Sequence, residues 1–188
     1  MIRIALVIIT CLILPFILAA QENQSDNLIL WDQDLRLGWA DFMGEPDASS
    51  EYMALTHWRL SYDFKISLIN GNASIAGSKV RTYFSRGDSW SKSTSSSVQL
   101  LQHEQGHFDL AEVYARKFRK ELVGYKFKSG EYQQEIEAIF NKILAECDKA
   151  QVKYDKETEH GIIEADQVRW DENIKEDLEE LGEFALSE

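Results

Sequence analysis

The clearest alternation of apolar and polar positions lies between residues 58 and 68. Six apolar side chains recur there at every second position. They are Trp58, Leu60, Tyr62, Phe64, Ile66 and Leu68. A period of two puts all six on one face of a strand, so the pattern predicts a half-buried β-strand. The sequence Asn-Gly-Asn at 70–72 is a hairpin signal, and a second strand is predicted in residues 73–85, where the period of two continues.

From residue 98 onward the apolar spacing becomes that of helices. Three helices are predicted, at residues 98–123, 131–156 and 165–182, and Gly124 ends the first. In the third helix one apolar stripe holds Trp170, Ile174, Leu178 and Leu181. Antiparallel strands that precede the helices, instead of alternating with them, predict an α+β fold and not an alternating α/β fold.

The first twenty residues have the pattern of a secretory signal peptide. Arg3 is followed by an unbroken apolar run and then by Ala19 and Ala20, which form a small-residue cleavage site. Cleavage near Ala20 would leave residues 21–188, a length that suits a single domain with a sizeable core. A retained membrane anchor is the alternative, because the run is nearly long enough to span a bilayer. We expect cleavage, and hence a periplasmic or extracellular protein with no stable membrane anchor.

Charge and cysteine content narrow the possible partners. The chain has 32 acidic and 20 basic side chains, a net charge of -12. Because phosphate binding needs clustered lysine and arginine, we expect no nucleic-acid partner. Cys11 lies in the signal peptide, so Cys147 has no internal disulfide partner in the mature chain. Its helical register with Ile136, Phe140 and Ile143 predicts a small core residue.

Two of the four histidines lie four residues apart in His103-Glu104-Gln105-Gly106-His107. On a helix of about 100° per residue, His107 lies about 40° from His103, within the apolar stripe. Both imidazoles therefore face the interior, where they need polar partners. The pair is either two hydrogen-bonded core histidines or a zinc site, because imidazoles at i and i+4 can bind one ion. We favour zinc.

The residues around the two histidines refine this prediction. Glu104 lies roughly a quarter turn away from His103, where it can act on a water as a general base without being a direct ligand. Gly106 lowers helix stability, so close approach of another backbone is one reason for its presence. Asp109 falls on the far side of the helix, and we interpret it as a surface carboxylate.

A hydrolytic zinc site needs a third protein ligand and one open position. His57 is out of phase with the apolar face of the first strand, so we assign it to the surface. His160 follows the second long helix, where Gly161 permits a turn over the first helix. Glu131 is the acidic alternative, although it lies at a helix start, where carboxylates are common. We favour His160.

Three blocks of sequence carry a resemblance to a known family. They are LGWADFMGEP, HEQGHFDLAEVYARKFRKEL, and YDKETEHG followed by QVRWDENIKEDLEEL, and together they span most of residues 28–181. The chain resembles a group of secreted bacterial zincin-like proteins that are catalogued as a domain of unknown function and labelled zinc-dependent proteases. The resemblance implies a zincin-like metallopeptidase domain over residues 21–188, with zinc held by His103, His107 and His160 and Glu104 as the catalytic carboxylate. It implies no particular substrate.

We therefore expect a secreted zinc peptidase that acts on a peptide or protein. Residues 79–85 (KVRTYFS) are expected to line the cleft and pair with an extended peptide. Tyr154 or Tyr114 is a candidate to stabilise the oxyanion. Asp155 and Thr158 are expected either to support His160 or to make local turn contacts. Two alternatives remain: a non-catalytic secreted zinc-binding scaffold, and a hydrolase of a non-peptide amide such as one in the cell wall.

Overall fold

A computed structural model describes residues 27–69, 72–92, 97–128 and 130–186. The strands are β1 (Leu28–Leu30), β2 (Ala54–Leu55), β3 (Trp58–Ile69), β4 (Asn72–Ser85), β5 (Trp90–Ser91) and β6 (Phe127–Lys128). The helices are α1 (Val98–Gly124), α2 (Tyr132–Thr158) and α3 (Glu164–Glu180), and two short 3-10 turns cover Trp39–Asp41 and Gly182–Phe184. The strands are antiparallel and all but β6 precede the helices, so the predicted α+β class is confirmed.

The predicted signal peptide, residues 1–20, lies outside the described residues. Within the described ranges, no helix combines the length and the apolar character that a bilayer span requires.

The hairpin of β3 and β4 forms the centre of the main sheet. The strands pair antiparallel over Trp58–Ile69 and Asn72–Phe84, with one register shift after Lys65. β4 also pairs with β1 at one end and with β6 at the other. The predicted strand and hairpin are confirmed, although the turn residues 70–71 lie outside the described ranges.

One face of this hairpin packs against α1 and α2 and so fixes the position of both helices. Phe118 of α1 is fully buried, and its ring centroid lies 5.7 Å from Tyr62 and 6.1 Å from Phe64 of β3. Phe118 also lies 5.4 Å from Phe140 of α2. Full burial of such a side chain contributes about 1.5–3 kcal/mol, so this aromatic cluster joins the sheet to the two long helices.

α3 packs against α1 and α2 through a second apolar cluster. Its buried members are Leu110, Val113, Tyr154, Ile174 and Leu181. Trp170 and Leu178 pack against the same cluster, so the stripe predicted for the third helix is confirmed. Cys147 of α2 is fully buried, as predicted for a core residue.

α1 carries a buried group of charged residues in its second half. Glu112 Oε1 accepts hydrogen bonds from Arg116 Nε at 3.1 Å and Arg119 Nη1 at 2.8 Å. Glu112 Oε2 accepts one from the Thr82 hydroxyl at 2.6 Å. Arg119 also donates to backbone carbonyls of β4 and of the C-terminal 3-10 turn. Because each buried charge is paired and hydrogen-bonded, the group connects α1 with the sheet and the C-terminus without an isolated charge.

Candidate metal centre

The two histidines of α1 lie on its buried face, as their place in the apolar stripe predicts. His103 is 1% exposed and the side chain of His107 is 13% exposed. The helix begins after Ser97, whose hydroxyl accepts a hydrogen bond from the Leu100 N–H at 3.0 Å. This cap satisfies one of the free N–H groups of the first turn, two turns before the histidines.

A carboxylate of α2 completes a group of three potential ligand atoms. The Nε2 atoms of His103 and His107 lie 3.2 Å apart. Asp155 Oδ1 lies 3.1 Å from the first and 3.0 Å from the second. Among the described residues, these three form the one cluster of metal-ligating side chains whose ligand atoms all lie within 4.8 Å of one another.

Gln151 of α2 determines where His107 carries its hydrogen. The amide Nε2 of Gln151 donates to the His107 carbonyl at 3.0 Å, so its Oε1 is the atom 2.6 Å from His107 Nδ1. An amide oxygen can only accept, so Nδ1 of His107 carries the hydrogen. In the neutral ring, Nε2 then presents a lone pair toward Asp155.

Gln167 of α3 determines the same property of His103. The hydroxyl of Tyr154 donates to the His103 carbonyl at 3.1 Å, so it accepts from Gln167 Nε2 at 2.6 Å. Gln167 Nε2 also donates to Asp171 Oδ1 at 2.7 Å, which leaves Oε1 facing His103 Nδ1 at 3.1 Å. Nδ1 therefore carries the hydrogen, and Nε2 of His103 also presents a lone pair toward Asp155.

The pKa shifts in this cluster show that it favours positive charge. Burial alone would raise the pKa of Asp155, but the hydrogen bonds and charges of His103 and His107 outweigh burial and lower it. Burial alone would lower the pKa of His107, but Asp155 and Glu104 outweigh burial and raise it. Two carboxylates thus stabilise a cation placed at the histidines.

Gly106 is explained by a side chain that approaches α1. A Cβ at this position would lie 2.2 Å from Tyr154 Oη and 2.8 Å from Tyr154 Cζ. Tyr154 belongs to α2, one residue before Asp155, and is fully buried. The glycine therefore lets α2 approach closely enough for Asp155 to reach the histidines. The sequence suggested a second backbone at this point, and the structure has an aromatic ring there instead.

The turn after α2 brings His160 to the rim of the centre. Glu159 and His160 have left-handed φ values of 46° and 56°, which are uncommon for residues other than glycine and end α2 in a sharp turn. Gly161 follows at 81°, and a Cβ there would lie 2.8 Å from the Cβ of His103. Nδ1 of His160 lies 3.2 Å from Asp155 Oδ1, and its side chain is 46% exposed.

The predicted third ligand therefore lies beside the group of three. His160 contacts Asp155 but is outside the cluster that joins Asp155 to the two α1 histidines. Asp155 was expected to support His160 or to make local turn contacts, and it does contact His160. It is also the third member of the cluster, beside His103 and His107. Thr158 makes local contacts, because its hydroxyl donates to the Tyr154 carbonyl at 2.8 Å and accepts from the Gly161 N–H at 3.2 Å.

The alternative prediction, that Glu131 is the third ligand, is wrong. It lies at the N-terminal end of α2, where it pairs with Lys128 at 3.2 Å. Asp155 lies near the opposite end of this 27-residue helix. At 1.5 Å per residue the two carboxylates are separated by roughly 35 Å along the helix axis.

Glu104 lies in the wall of a cleft that also contains the cluster. Glu104 is 3% exposed, and its Oε2 accepts a hydrogen bond from the Thr56 hydroxyl at 2.7 Å. The cleft has a volume of about 890 Å³ and runs between α1 and the segment 51–56. Its wall also includes His103, His107, Asp155 and His160. The residues predicted as base and ligands therefore face one common space.

The prediction that residues 79–85 line the cleft is wrong. The cleft is bordered by residues 51–56, which include β2, and not by residues 79–85 of β4. The carbonyls of Val80 and Thr82 already accept hydrogen bonds from Arg119 and from the Trp31 N–H. An incoming peptide could not use them, because packing of α1 and of the N-terminal segment occupies that edge of β4.

Neither tyrosine suggested for oxyanion stabilisation lines the cleft. Tyr154 is fully buried, and its hydroxyl is engaged by His103 and Gln167. Tyr114 packs against the apolar clusters that α1 makes with the sheet and with α3. Both predictions are wrong, because the same helix faces that carry the site also form the core.

Asp109 is not the surface carboxylate that its helix position suggested. Its Oδ1 accepts hydrogen bonds from the Trp31 indole N–H at 2.8 Å and from Gln105 Nε2 at 2.9 Å. Burial raises its pKa. The N-terminal segment covers this side of α1, and the Leu37 N–H donates to Gln105 Oε1 at 2.8 Å. That contact joins residues far apart in the chain, so the spacing of residues along α1 does not reveal it.

Sequence reasoning missed the two glutamines that orient the histidines. A signal exists in the spacing. Gln151 precedes Asp155 by four residues, and Gln167 precedes Asp171 by four, as His103 precedes His107. Polar pairs repeated at this interval share one helix face, and both glutamines are buried, at 8% and 3% exposure.

Comparison with known proteins identifies a family. The family described as bacterial protein of unknown function (DUF922) matches residues 40–161, which include both α1 histidines, Glu104, Asp155 and His160. No curated protein and no solved structure matches the chain. The match confirms the coarser part of the resemblance, a bacterial family of unknown function. The zincin-like peptidase assignment stays a prediction.

Proposed function

Because the chain belongs to this bacterial family of unknown function, its activity has to be argued from the site, and we propose that it is an exported zinc-dependent peptidase. His103, His107 and Asp155 are the proposed ligands, and Glu104 is the proposed general base. The observation that carries the proposal is that three acceptor atoms converge: Nε2 of both histidines and Oδ1 of Asp155. Hydrogen bonds to Gln151 and Gln167 already determine the tautomers of the two histidines.

Three acceptors this close need a cation between them. One proton on His107 satisfies its contact with Asp155 but leaves His103 Nε2 facing a carboxylate oxygen without a donor. Protons on both rings place two positive charges on nitrogen atoms 3.2 Å apart. A divalent cation satisfies all three atoms at once. Ligand atoms around a tetrahedral zinc ion are separated by about 3.3 Å, close to the observed 3.0–3.2 Å.

The donor set supports zinc over other divalent ions. Two imidazoles and one carboxylate suit zinc better than calcium or magnesium, which prefer oxygen ligands. When bound by these residues, zinc supplies a Lewis acid that polarises a scissile carbonyl and lowers the pKa of water. The Nδ1–H of His160 can donate to Asp155 and orient it, a contact typical of residues that support a ligand.

Glu104 is placed to move the proton of the attacking water. Thr56 donates to Oε2 at 2.7 Å, which leaves Oε1 as the atom that can accept a proton. The carboxylate then delivers that proton to the leaving amine, so one group acts first as base and then as acid. Its 3% exposure and its place in the cleft wall favour this role over that of a surface carboxylate.

The edge of β2 suggests how a peptide is held. β2 pairs with β5, and the Lys92 N–H donates to the Met53 carbonyl at 2.8 Å. Bonded and non-bonded positions alternate in an antiparallel pair, so the backbone N–H and C=O of Ala54 are directed away from β5. Ala54 lines the cleft. An extended peptide can therefore add to this edge opposite Glu104, which favours a peptide or protein substrate.

The cleft also favours the peptidase hypothesis over the hypothesis of a non-catalytic zinc-binding scaffold. A structural zinc site is normally closed by four protein ligands, whereas a catalytic site keeps one position open. A cleft of about 890 Å³ beside three candidate ligands favours the catalytic arrangement. Hydrolysis of a non-peptide amide would use the same residues, so a substrate panel has to include such an amide.

The test is digestion of a broad peptide library and of a cell-wall amide substrate by the zinc-loaded protein. Glu104→Gln should keep its zinc content and lose activity by roughly 10²–10⁴-fold, because the amide cannot accept the proton. Glu121→Gln, on the same helix but outside the cleft, is the matched control and should keep full activity. If the zinc-loaded wild type cleaves nothing, the scaffold alternative is favoured. Equal rates for wild type and Glu104→Gln would exclude Glu104 as the base.

A further inference from the structure

α3 begins after the end of the matched family segment, yet it reaches the metal centre. We propose that α3 supplies two positioning residues of this centre: Gln167, which holds His103 in the tautomer that leaves Nε2 free for a cation, and Asp171, which holds the amide of Gln167. The inference rests on the proposed metal site for its function, but the tautomer it assigns to His103 can be measured without metal.

Gln167 contacts His103 in the buried part of the centre. Gln167 is 3% exposed, and its Oε1 lies 3.1 Å from His103 Nδ1. Among the described residues, the only other hydrogen-bonding atom near this nitrogen is the Thr158 hydroxyl, at 3.5 Å. That hydroxyl already donates to the Tyr154 carbonyl at 2.8 Å. Gln167 is therefore the principal acceptor that determines which nitrogen of His103 carries the hydrogen.

Asp171 determines which end of the Gln167 amide faces the histidine. A glutamine amide can rotate by half a turn, which would exchange its oxygen and nitrogen. The bonds from Gln167 Nε2 to Asp171 Oδ1 at 2.7 Å and to Tyr154 Oη at 2.6 Å oppose this rotation. Asp171 Oδ2 is itself held by Gln102 Nε2 of α1. The carboxylate thus connects α1 with α3 and orients the amide between them.

The two α1 histidines are consequently held from two different helices. Gln151 of α2 orients His107, and Gln167 of α3 orients His103. Loss of a residue that orients a metal-ligating histidine typically weakens metal binding by 10–100-fold. We therefore expect α3 to be needed for high-affinity metal binding and not only for packing.

The experiment compares two variants of the full chain with a packing control. Gln167→Met keeps the approximate size of the side chain but removes the acceptor. Asp171→Leu, at a half-buried position, removes the oxygen that accepts from the Gln167 amide and serves if the first variant folds poorly. Ile174→Val removes a buried methyl group from α3 without touching His103, and it reports the effect of looser packing alone.

Two readouts are needed. Competition with a chromophoric chelator gives the zinc Kd, and nitrogen-15 NMR of the metal-free protein at alkaline pH gives the tautomer of His103. We expect the wild type to carry the hydrogen on Nδ1. Gln167→Met and Asp171→Leu should shift the population toward hydrogen on Nε2 and raise the zinc Kd by roughly 10–100-fold. Ile174→Val should change neither the tautomer nor the Kd beyond about threefold.

The possible failures are distinguishable. An unchanged His103 tautomer in both variants overturns the proposal, whatever the zinc affinity. An equal rise in Kd for Ile174→Val and Gln167→Met also overturns it, because packing alone would then explain the effect. Absence of zinc binding by the wild type refutes the proposed metal site, while the tautomer readout still decides the role of Gln167 and Asp171.

Discussion

Gly106→Ala is a sharp test of the contact between α1 and α2. In an exposed helix interior this change normally stabilises a protein by about 1 kcal/mol. Here the new Cβ would lie 2.2 Å from Tyr154 Oη and 2.8 Å from Cζ. Tyr154 is fully buried, so its ring can move only by displacing its neighbours.

The size of the effect follows from two costs. Forcing an extra methyl group into a packed core costs about 1–3 kcal/mol. Displacing the hydroxyl weakens its bonds to the His103 carbonyl and Gln167 Nε2, and a buried polar group left without a partner costs about 1–3 kcal/mol. After the gain in helix propensity we expect a net destabilisation of about 3 kcal/mol. For a domain of this size the melting temperature should fall by roughly 6–12 °C.

Urea and thermal unfolding of Gly106→Ala measure this effect, and the double variant with Tyr154→Phe identifies its cause. Removing the hydroxyl oxygen relieves the closest contact, so the cost of the alanine should fall by at least about 1 kcal/mol in the Tyr154→Phe background. Gly182→Ala is the control, because a Cβ there meets no atom within 4 Å. A Gly106→Ala variant as stable as the wild type would refute the packing argument.

Three further predictions concern separate features. Asp155→Ala should abolish zinc binding, whereas His160→Ala, which removes a residue that orients Asp155, should weaken it by roughly 10–100-fold. The reverse order, measured by elemental analysis, would make His160 the third ligand. Burial raises the pKa of the Cys147 thiol to about 12, so the thiol should react with Ellman's reagent only after unfolding, and rapid reaction of the folded protein would contradict its buried position. Mass spectrometry of the exported protein should find a mature N-terminus within a few residues of Gln21, and an intact Met1 would refute cleavage.

Local periodicity explains why most of the fold could be predicted from the sequence. The strand at 58–68 and the stripe of Trp170, Ile174, Leu178 and Leu181 each repeat over several turns or pleats. Such repeats describe one face of one element, and packing of that face against a core preserves them. The long helices end within a few residues of their predicted limits for the same reason.

The parts that could not be predicted depend on contacts between distant residues. β2 has only two residues, too few for a period, so the strand that borders the cleft left no pattern. Asp155 reaches the histidines because Tyr154 packs over Gly106, a contact that joins positions nearly fifty residues apart. Spacing on one helix was enough to place the candidate base and two candidate ligands together, but any ligand from another helix depends on how the helices pack.

The central claim is that His103, His107 and Asp155 form a zinc site. Its most direct test is the zinc stoichiometry of the purified protein, measured by native mass spectrometry after zinc loading and again after chelation. The account predicts one zinc ion per chain in the wild type and none in His107→Ala. It also predicts a gain in unfolding free energy of about 2.7 kcal/mol when free zinc is 100 times the Kd. A wild type that binds no zinc, or a His107→Ala variant that retains a full equivalent, would contradict it.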